Sequence, residues 1–351
     1  MRSWREAWET ALYGPGGFYA RGSAPAAHFR TSVHASDGYA GAVAELLRRV
    51  DAALGQPDPV DLVDLGAGRA ELLVAVRPHL APDLRERARL AAVELAPLAA
   101  PPPRAGDPPG AGGVRVVREV AELEPVTGLV FANEWLDDVP LDVVELTADG
   151  PRLVLVAPDG TEEPGPPPGP EDSAWLARWW PLTEVGDRAE VGRTRDAAWA
   201  AAVGRLARGV AVAVDYGHET AARPRGGTLT GYRAGAQVPP VPDGSCNLTA
   251  HVALDSVAAA GRTAGAGDTR LDDQRSALMS LGVDPRRPPL DPADPAAYLA
   301  ALRRAGEAAE LTDRAGLGGF GWLVQGVGIK VPFPPAATRA RVRRAPAPPP
   351  P

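Results

Sequence analysis

The stretch at residues 60–73, VDLVDLGAGRAELL, constrains the fold more than any other part of the sequence. Its first six residues form an apolar run typical of a short buried strand, and its last residues begin a helical pattern. Between them, Gly66, Ala67 and Gly68 turn the chain sharply. A strand, a Gly-x-Gly turn and a helix open a nucleotide-binding α/β unit, with the ligand at the carboxyl end of the strand.

Acidic residues near this turn bear on which nucleotide binds. Glu71 occupies the sixth position of G-x-G-x-x-G, where NAD binding favours glycine, and its charge opposes a pyrophosphate at the helix start. No Gly-Lys-Ser/Thr follows, which excludes a P-loop. Glu94 ends a second predicted strand, 88–94, where it either binds both ribose hydroxyls or is merely solvated. S-adenosylmethionine fits better than NAD because it has no phosphate and carries a cationic sulfonium. The cofactor-binding residues predicted from the turn and strands are Asp64, Gly66, Ala67, Gly68 and Glu94.

A second polar group follows the predicted strand at residues 128–132. The chain runs there into ANEWLDDVP, which brings an amide and three acids to the edge where ligands bind in such sheets. Asn133, Glu134 and Asp137 are therefore candidate residues of a ligand site. The alternative is that Asn133 and Asp137 only cap a following helix.

The pattern as a whole predicts an α/β fold: a Rossmann-like, doubly wound, mostly parallel sheet with an inserted subdomain. Trp4, Trp8 and Leu12 form one stripe of an N-terminal helix. A Pro/Gly linker is predicted at residues 162–171, a Thr249-capped helix at 252–260 and a last hairpin strand at 319–326. The domain boundaries predicted are 1–35 for the N-terminal helix and cofactor-covering loops, 36–140 and 209–335 for the two parts of the α/β domain, 141–208 for the insertion or lid, and 336–351 for a disordered Arg/Pro-rich tail.

Composition narrows the classes of partner. The net charge of -7 argues against nucleic acid, and no apolar stretch approaches a membrane span. The single cysteine, Cys246, fits a reducing compartment, so we expect a cytoplasmic protein, with a homodimer as one open assembly. All basic residues except Lys330 are arginine. We attribute this bias to a GC-rich bacterial genome and give arginine clusters no functional weight.

Several segments resemble the MidA-type methyltransferases, which include the mitochondrial complex I assembly-factor arginine methyltransferase. The likeness runs in the family's order over about residues 8–330. Asn-Glu-x-x-Asp-x-x-Pro at 133–140 and Leu-Thr-Ala-His at 248–251 are its specific motifs. The remaining similar segments are YGPGGFY at 13–19, FRTS at 29–32, LGAGR at 65–69 and DYGH at 215–218. Ala70 departs from the pattern, because the family usually has a second glycine there.

The resemblance implies a class I methyltransferase that uses S-adenosyl-L-methionine and methylates a protein arginine. It also implies that the loops carrying Tyr19, Thr31 and Ser32 close over the cofactor, and that the acceptor site follows residue 133. If the acceptor is arginine, its guanidinium needs carboxylates that hold it by paired hydrogen bonds. We therefore predict Glu134 as the orienting carboxylate, assisted by Asn133 and Asp137. The acceptor would be a protein or peptide, a respiratory or assembly partner among the candidates, or a small molecule. The other function left open is a non-catalytic binding or assembly protein on the same fold.

Overall fold

A computed structural model describes residues 1–21, 32, 36–95 and 113–333. The strands within these ranges are β1 (Arg2–Ser3), β2 (Val60–Leu65), β3 (Ala88–Val93), β4 (Arg115–Val117), β5 (Val126–Asn133), β6 (Asp142–Thr147), β7 (Gly150–Val156), β8 (Glu162–Pro164), β9 (Arg188–Val191), β10 (Leu206–Asp215), β11 (Gly217–His218), β12 (Thr230–Arg233), β13 (Ala236–Val238), β14 (Asn247–Thr249), β15 (Val252–Ala253), β16 (Asp268–Asp273) and β17 (Gly321–Val327). The α-helices there are α1 (Trp4–Tyr13), α2 (Asp37–Leu54), α3 (Glu71–Val76), α4 (Pro82–Arg87), α5 (Pro170–Trp179), α6 (Arg193–Val203), α7 (Leu254–Thr263), α8 (Gln274–Ser280) and α9 (Pro295–Leu311).

A seven-stranded sheet forms the centre of the molecule, in the order β16–β17–β10–β5–β2–β3–β4. The five strands from β10 to β4 pair in parallel, whereas β17 is antiparallel to both of its neighbours. The chain continues from β2 to β3 on one side and reaches β5 on the other. The carboxyl ends of β2 and β5 therefore flank a crevice of the kind that binds ligands in α/β sheets.

The central sheet is covered on both faces. Successive residues of β2 alternate between them, as strand geometry requires. Leu62 belongs to the apolar cluster that contains α2, α3 and α8, while Val63 and Leu65 belong to the cluster that contains α6 and α7. The sequence prediction of an α/β fold is confirmed, with a mixed sheet.

A second sheet, β1–β7–β6–β9 with β8 paired to β7, contains most of the segment after β5. The N-terminus joins it, because Arg2 and Ser3 pair with Leu155 and Val156. Trp4, Trp8 and Leu12 are fully buried on one face of α1 and pack against this sheet and β14. The observed insertion differs from the predicted 141–208 segment: β1 belongs to its sheet, and α6 packs on the central sheet instead.

Four predictions from the sequence need correction. The predicted linker contains strand β8 and the start of α5, whose first residue is Pro170. Helix α7 begins at Leu254, and Thr249 lies in β14 instead of capping it. The last strand, β17, lies between β10 and β16 and is not part of a simple hairpin. Strand β16 was missed because its sequence, DTRLDD, is mostly polar, as an edge strand tolerates.

No α-helix of the described ranges is long and apolar enough to cross a membrane. The predicted tail at 336–351 lies outside the described residues.

Candidate functional site

The Gly-x-Gly turn after β2 has a backbone that only glycine accepts readily. Gly66 and Gly68 have φ angles of +67° and +54°. A Cβ atom on Gly66 would lie 2.6 Å from Cδ1 of Trp135, which follows β5. Ala70 is also left-handed, with φ +61°, which explains why a glycine suits this position in similar proteins. The turn and the loop after β5 are thus in direct contact.

Carboxylates occupy backbone donors of this turn. The Gly68 N–H donates to Oε2 of Glu94 at 2.9 Å, and the Arg69 N–H donates to Oε2 of Glu71 at 2.8 Å. A pyrophosphate would need such N–H groups, so both contacts disfavour a dinucleotide. Asp64 is buried beneath the turn, and its pKa is raised by burial first and then by Glu71 and Glu94. These acids suit a cofactor that carries a positive charge and no phosphate.

Glu134 occupies a constrained position at the end of β5. Its φ angle is +50°, which a residue with a side chain adopts only at a cost. Its Oε1 accepts hydrogen bonds from the Ser32 N–H at 2.9 Å and from Nδ2 of Asn133 at 3.0 Å. Oδ1 of Asn133 accepts in turn from the Tyr39 hydroxyl of α2. Burial raises the pKa of Glu134 to about 7, against the two hydrogen bonds that lower it.

Asp137 is buried and holds a hydrogen-bonded position. Its Oδ2 accepts the hydroxyls of Tyr216 and Thr249, both at 2.7 Å. Oδ2 of Asp215 accepts the N–H groups of Leu136 and Asp137 at 3.0 and 3.2 Å. Residues 134–140 form turns, so the alternative that Asn133 and Asp137 cap a following helix is wrong. The hydrogen bonds of Asp137 therefore help to fix the conformation of the loop after β5.

The N-terminal aromatic segment meets the same loop. The Tyr19 hydroxyl donates to Oδ2 of Asp138, whose Oδ1 accepts from Nδ2 of Asn247 at 3.1 Å. Tyr13 stacks on Tyr19 with 5.5 Å between ring centroids. Tyr19 is therefore attached to the loop after β5, and its contact with a cofactor stays a prediction.

Ser32 joins two further segments. Besides its N–H bond to Glu134, its hydroxyl lies 3.3 Å from the side-chain amide of Gln274, at the start of α8. Thr31 lies outside the described residues. The proposed roles of the predicted site residues stay predictions, but most of these residues surround one crevice.

Sequence reasoning missed Arg195 of α6, which is fully buried beneath the loop. Its guanidinium donates to four backbone oxygens: Asp137 at 2.5 Å, Ala250 at 2.9 Å, and Val139 and His251 at 3.1 Å. The available signal was one arginine within GRTRDAAWA, and the arginine-rich composition had removed weight from it. Tyr39 and Asn247 were missed as well, since neither belongs to a recognisable motif.

A metal centre finds no support in the described part of the chain, where no group of three or more His, Cys, Asp or Glu side chains is arranged to hold an ion. The site is instead acidic, with Glu134, Asp137, Asp138 and Asp215 around the buried guanidinium of Arg195. Such a charge balance suits a ligand that is cationic or rich in hydrogen-bond donors.

Comparison with known proteins agrees with this geometry. A family model described as "Putative S-adenosyl-L-methionine-dependent methyltransferase" matches residues 42–269. A crystal structure of a "likely methyl transferase" from Burkholderia thailandensis, bound to S-adenosyl-homocysteine, is similar with a TM-score of 0.76 and 25% identity over 93% of this chain and 88% of that one. A native crystal structure of a protein of the same superfamily and organism has a TM-score of 0.78 and 26% sequence identity, and the match covers 95% of this chain and 90% of that one. No curated protein matches the sequence. The chain belongs to the S-adenosyl-L-methionine-dependent methyltransferase family, and S-adenosyl-L-methionine is its cofactor.

Proposed function

We propose that this methyltransferase modifies a guanidinium nitrogen of arginine in a protein or peptide. The observation that carries the proposal is the carboxyl group of Glu134. It lies at the end of β5, and its neighbour Trp135 packs against the glycine turn after β2. A group positioned by Glu134 would therefore be next to the cofactor turn, where in-line transfer requires it.

The chain's own residues provide two kinds of support for the cofactor. Asp64, Gly66, Ala67, Gly68 and Glu94 would hold it, with Glu94 binding the ribose hydroxyls. The cofactor supplies an electrophilic methyl group on a sulfonium. The left-handed backbone of Gly66 and Gly68 lets main-chain atoms approach a ligand closely.

Glu134 has the properties that an arginine acceptor requires. An ionised carboxylate can bind two guanidinium N–H groups and thereby fix the nitrogen that is modified. This nitrogen loses a proton on methylation, and a carboxyl group with a pKa of about 7 can accept it near neutral pH. Asn133 keeps Glu134 oriented, and Asp137 supports the loop through Tyr216 and Thr249.

We infer further that the chain is of the MidA type and that its sheet is the doubly wound, Rossmann-like arrangement of class I methyltransferases. The meeting of the similar segments supports this. Tyr19 reaches Asp138, Ser32 reaches Glu134, and Thr249 reaches Asp137. A cytoplasmic location agrees with the single, unpaired Cys246.

Tritium transfer tests the proposal. We expect the purified protein to move label from methyl-tritiated S-adenosylmethionine to a protein in a lysate, and hydrolysis of the product to yield methylarginine. The Glu134→Gln variant should bind the cofactor within about threefold of wild type in calorimetry, yet transfer at least about 100-fold more slowly. Glu163→Gln, an exposed carboxylate in β8, is the matched control and should be fully active.

The outcomes separate the parts of the proposal. Label in a small molecule, or on a residue other than arginine, would show that the acceptor is wrong. Equal loss of cofactor binding and transfer in Glu134→Gln would refute its role on the acceptor side. If wild-type protein shows no saturable cofactor binding, the non-catalytic alternative replaces the proposal.

A further inference from the structure

Arg195 connects helix α6 with the loop that carries Glu134. It lies in the first turn of α6, immediately after strand β9. Its Nη2 and Nε bind the carbonyl oxygens of Asp137 and Val139, and its Nη1 binds those of Ala250 and His251. One guanidinium thus ties together two loops at the carboxyl edge of the central sheet.

The backbone at Asp137 is held from both sides. Arg195 binds its carbonyl oxygen at 2.5 Å, and Asp215 accepts its N–H at 3.2 Å. Only three peptide bonds separate Asp137 from Glu134, so this attachment limits the positions that Glu134 can adopt. The ring of Trp8 lies 5.7 Å from the guanidinium carbon and closes the remaining side.

The charge of Arg195 is not used in a direct ion pair within the described residues, since the hydrogen bonds of its guanidinium go to carbonyl oxygens. It nevertheless opposes the rise in pKa that burial causes at Asp137, Asp138 and Asp215. Arginine keeps its charge when buried, and Asp137, Asp215 and Glu190 favour the charged form of a cation at this position. Titratable groups act on this loop from every element packed against it. They are Glu134 and Asp138 on the loop, Asp215 of β10 and Tyr216 after it, Tyr13 and Tyr19 from the N-terminal segment, Tyr39 of α2, Tyr232 of β12, Glu190 of β9, and Arg195.

We propose that Arg195 is a positioning residue for methyl transfer, because its guanidinium binds the backbone of the loop that carries Glu134 and fixes the position of that loop. Helix α6 then supports the active site from beneath this loop. This inference rests on the proposed role of Glu134 in transfer. It does not depend on which acceptor is methylated.

Two substitutions separate the geometric effect from the charge. Arg195→Lys retains a cation but replaces the planar fork by one nitrogen, which cannot reach four carbonyl oxygens in the same way. Arg195→Met retains much of the apolar stem and removes the charge. Arg262 is exposed in α7, so Arg262→Lys and Arg262→Met are the matched controls.

Three measurements are made on each variant that stays folded by circular dichroism. Cofactor affinity is measured by calorimetry. Methyl transfer is measured by the tritium that passes from methyl-tritiated S-adenosylmethionine to lysate protein. The titration of Asp137 is followed by its ¹³C carboxyl resonance, assigned with Asp137→Asn. The resonance needs no acceptor, and calorimetry needs none either, so a wrong acceptor would not be mistaken for a wrong role of Arg195.

We expect both Arg195 variants to bind the cofactor within about threefold of wild type and to transfer methyl at least about tenfold more slowly. The titration midpoint of Asp137 should stay unchanged in Arg195→Lys and rise by at least about one pH unit in Arg195→Met. A wild-type transfer rate in Arg195→Lys, or equal midpoints in the two variants, would overturn the inference. If Arg195→Met does not fold, the rate and the midpoint of Arg195→Lys decide it alone.

Discussion

Replacement of Glu134 by Gln should stabilise this protein at alkaline pH while it abolishes methyl transfer. Burial raises the pKa of Glu134 from 4.5 to about 7. Each pH unit of such a difference corresponds to about 1.4 kcal/mol, so ionised Glu134 costs the folded state about 3 kcal/mol. This is an upper value, because the side chain keeps part of its contact with solvent. Gln keeps an oxygen that can accept from Ser32 and Asn133.

The sign of the pH dependence follows from proton binding. In the unfolded chain Glu134 ionises near 4.5, so between pH 4.5 and 7 the folded protein binds more protons than the unfolded one. This group therefore lowers the free energy of unfolding as the pH rises through that window. Below pH 4.5, Glu134 is protonated in both states, so Glu134→Gln should change the free energy of unfolding little. Above pH 7 the full cost is present.

Urea unfolding at about pH 5, 6, 7 and 8 measures this difference directly. The stability of Glu134→Gln minus that of wild type should grow from less than about 1 kcal/mol at about pH 5 to about 2–3 kcal/mol at about pH 8. Acids away from the site titrate alike in both proteins and cancel in the difference, whereas the interaction of Glu134 with Asp137 and Asp215 adds to it in the same direction. Glu163→Gln should differ from wild type by less than about 0.5 kcal/mol throughout. A difference for Glu134→Gln that does not vary with pH would refute the reasoning.

Two further substitutions test the packing around the site and the core. In Gly66→Ala the added methyl would lie 2.6 Å from Trp135 in a left-handed backbone. We expect the free energy of unfolding by urea to fall by about 2–4 kcal/mol and cofactor binding to weaken at least tenfold. Gly169→Ala, where no atom lies within 4 Å of the added methyl, should change neither quantity. In Gly261→Ala the methyl would lie 1.8 Å from Oε1 of Gln325, which accepts a buried hydrogen bond from Trp199, so stability should fall by about 1–3 kcal/mol with cofactor affinity unchanged. Equal affinities for Gly66→Ala and wild type, or full stability of Gly261→Ala, would contradict these explanations.

Local patterns in the sequence were sufficient for the centre of the fold. Strand β2 was predicted with its observed bounds, because the residues that form this buried strand and its glycine turn are consecutive in the sequence. The polar edge strand β16 carries no such apolar run and was missed. The pairing of β1 with β7 was also not predicted, since it joins residues more than 150 positions apart in the chain.

The site was only partly predictable, for a related reason. Glu134 and Asp137 could be proposed because acids directly follow an apolar strand. The contact between Ser32 and Glu134 spans 102 residues, and only the family resemblance brought both segments to attention. Arg195 binds backbone oxygens 55–58 residues away. Every type of residue has a backbone carbonyl oxygen, so the sequence does not show which residues accept these hydrogen bonds.

The pairing of the first residues with β7 has a consequence for synthesis of the chain. Trp4, Trp8 and Leu12 are buried against strands β6 and β7 and against β14, whose last residue is Thr249. Helix α1 is therefore made more than 230 residues before its last partner strand is complete, an interval of roughly 12–50 s at ordinary bacterial or eukaryotic rates. During that interval its apolar stripe is exposed, so this segment is where a chaperone would be expected to bind the nascent protein.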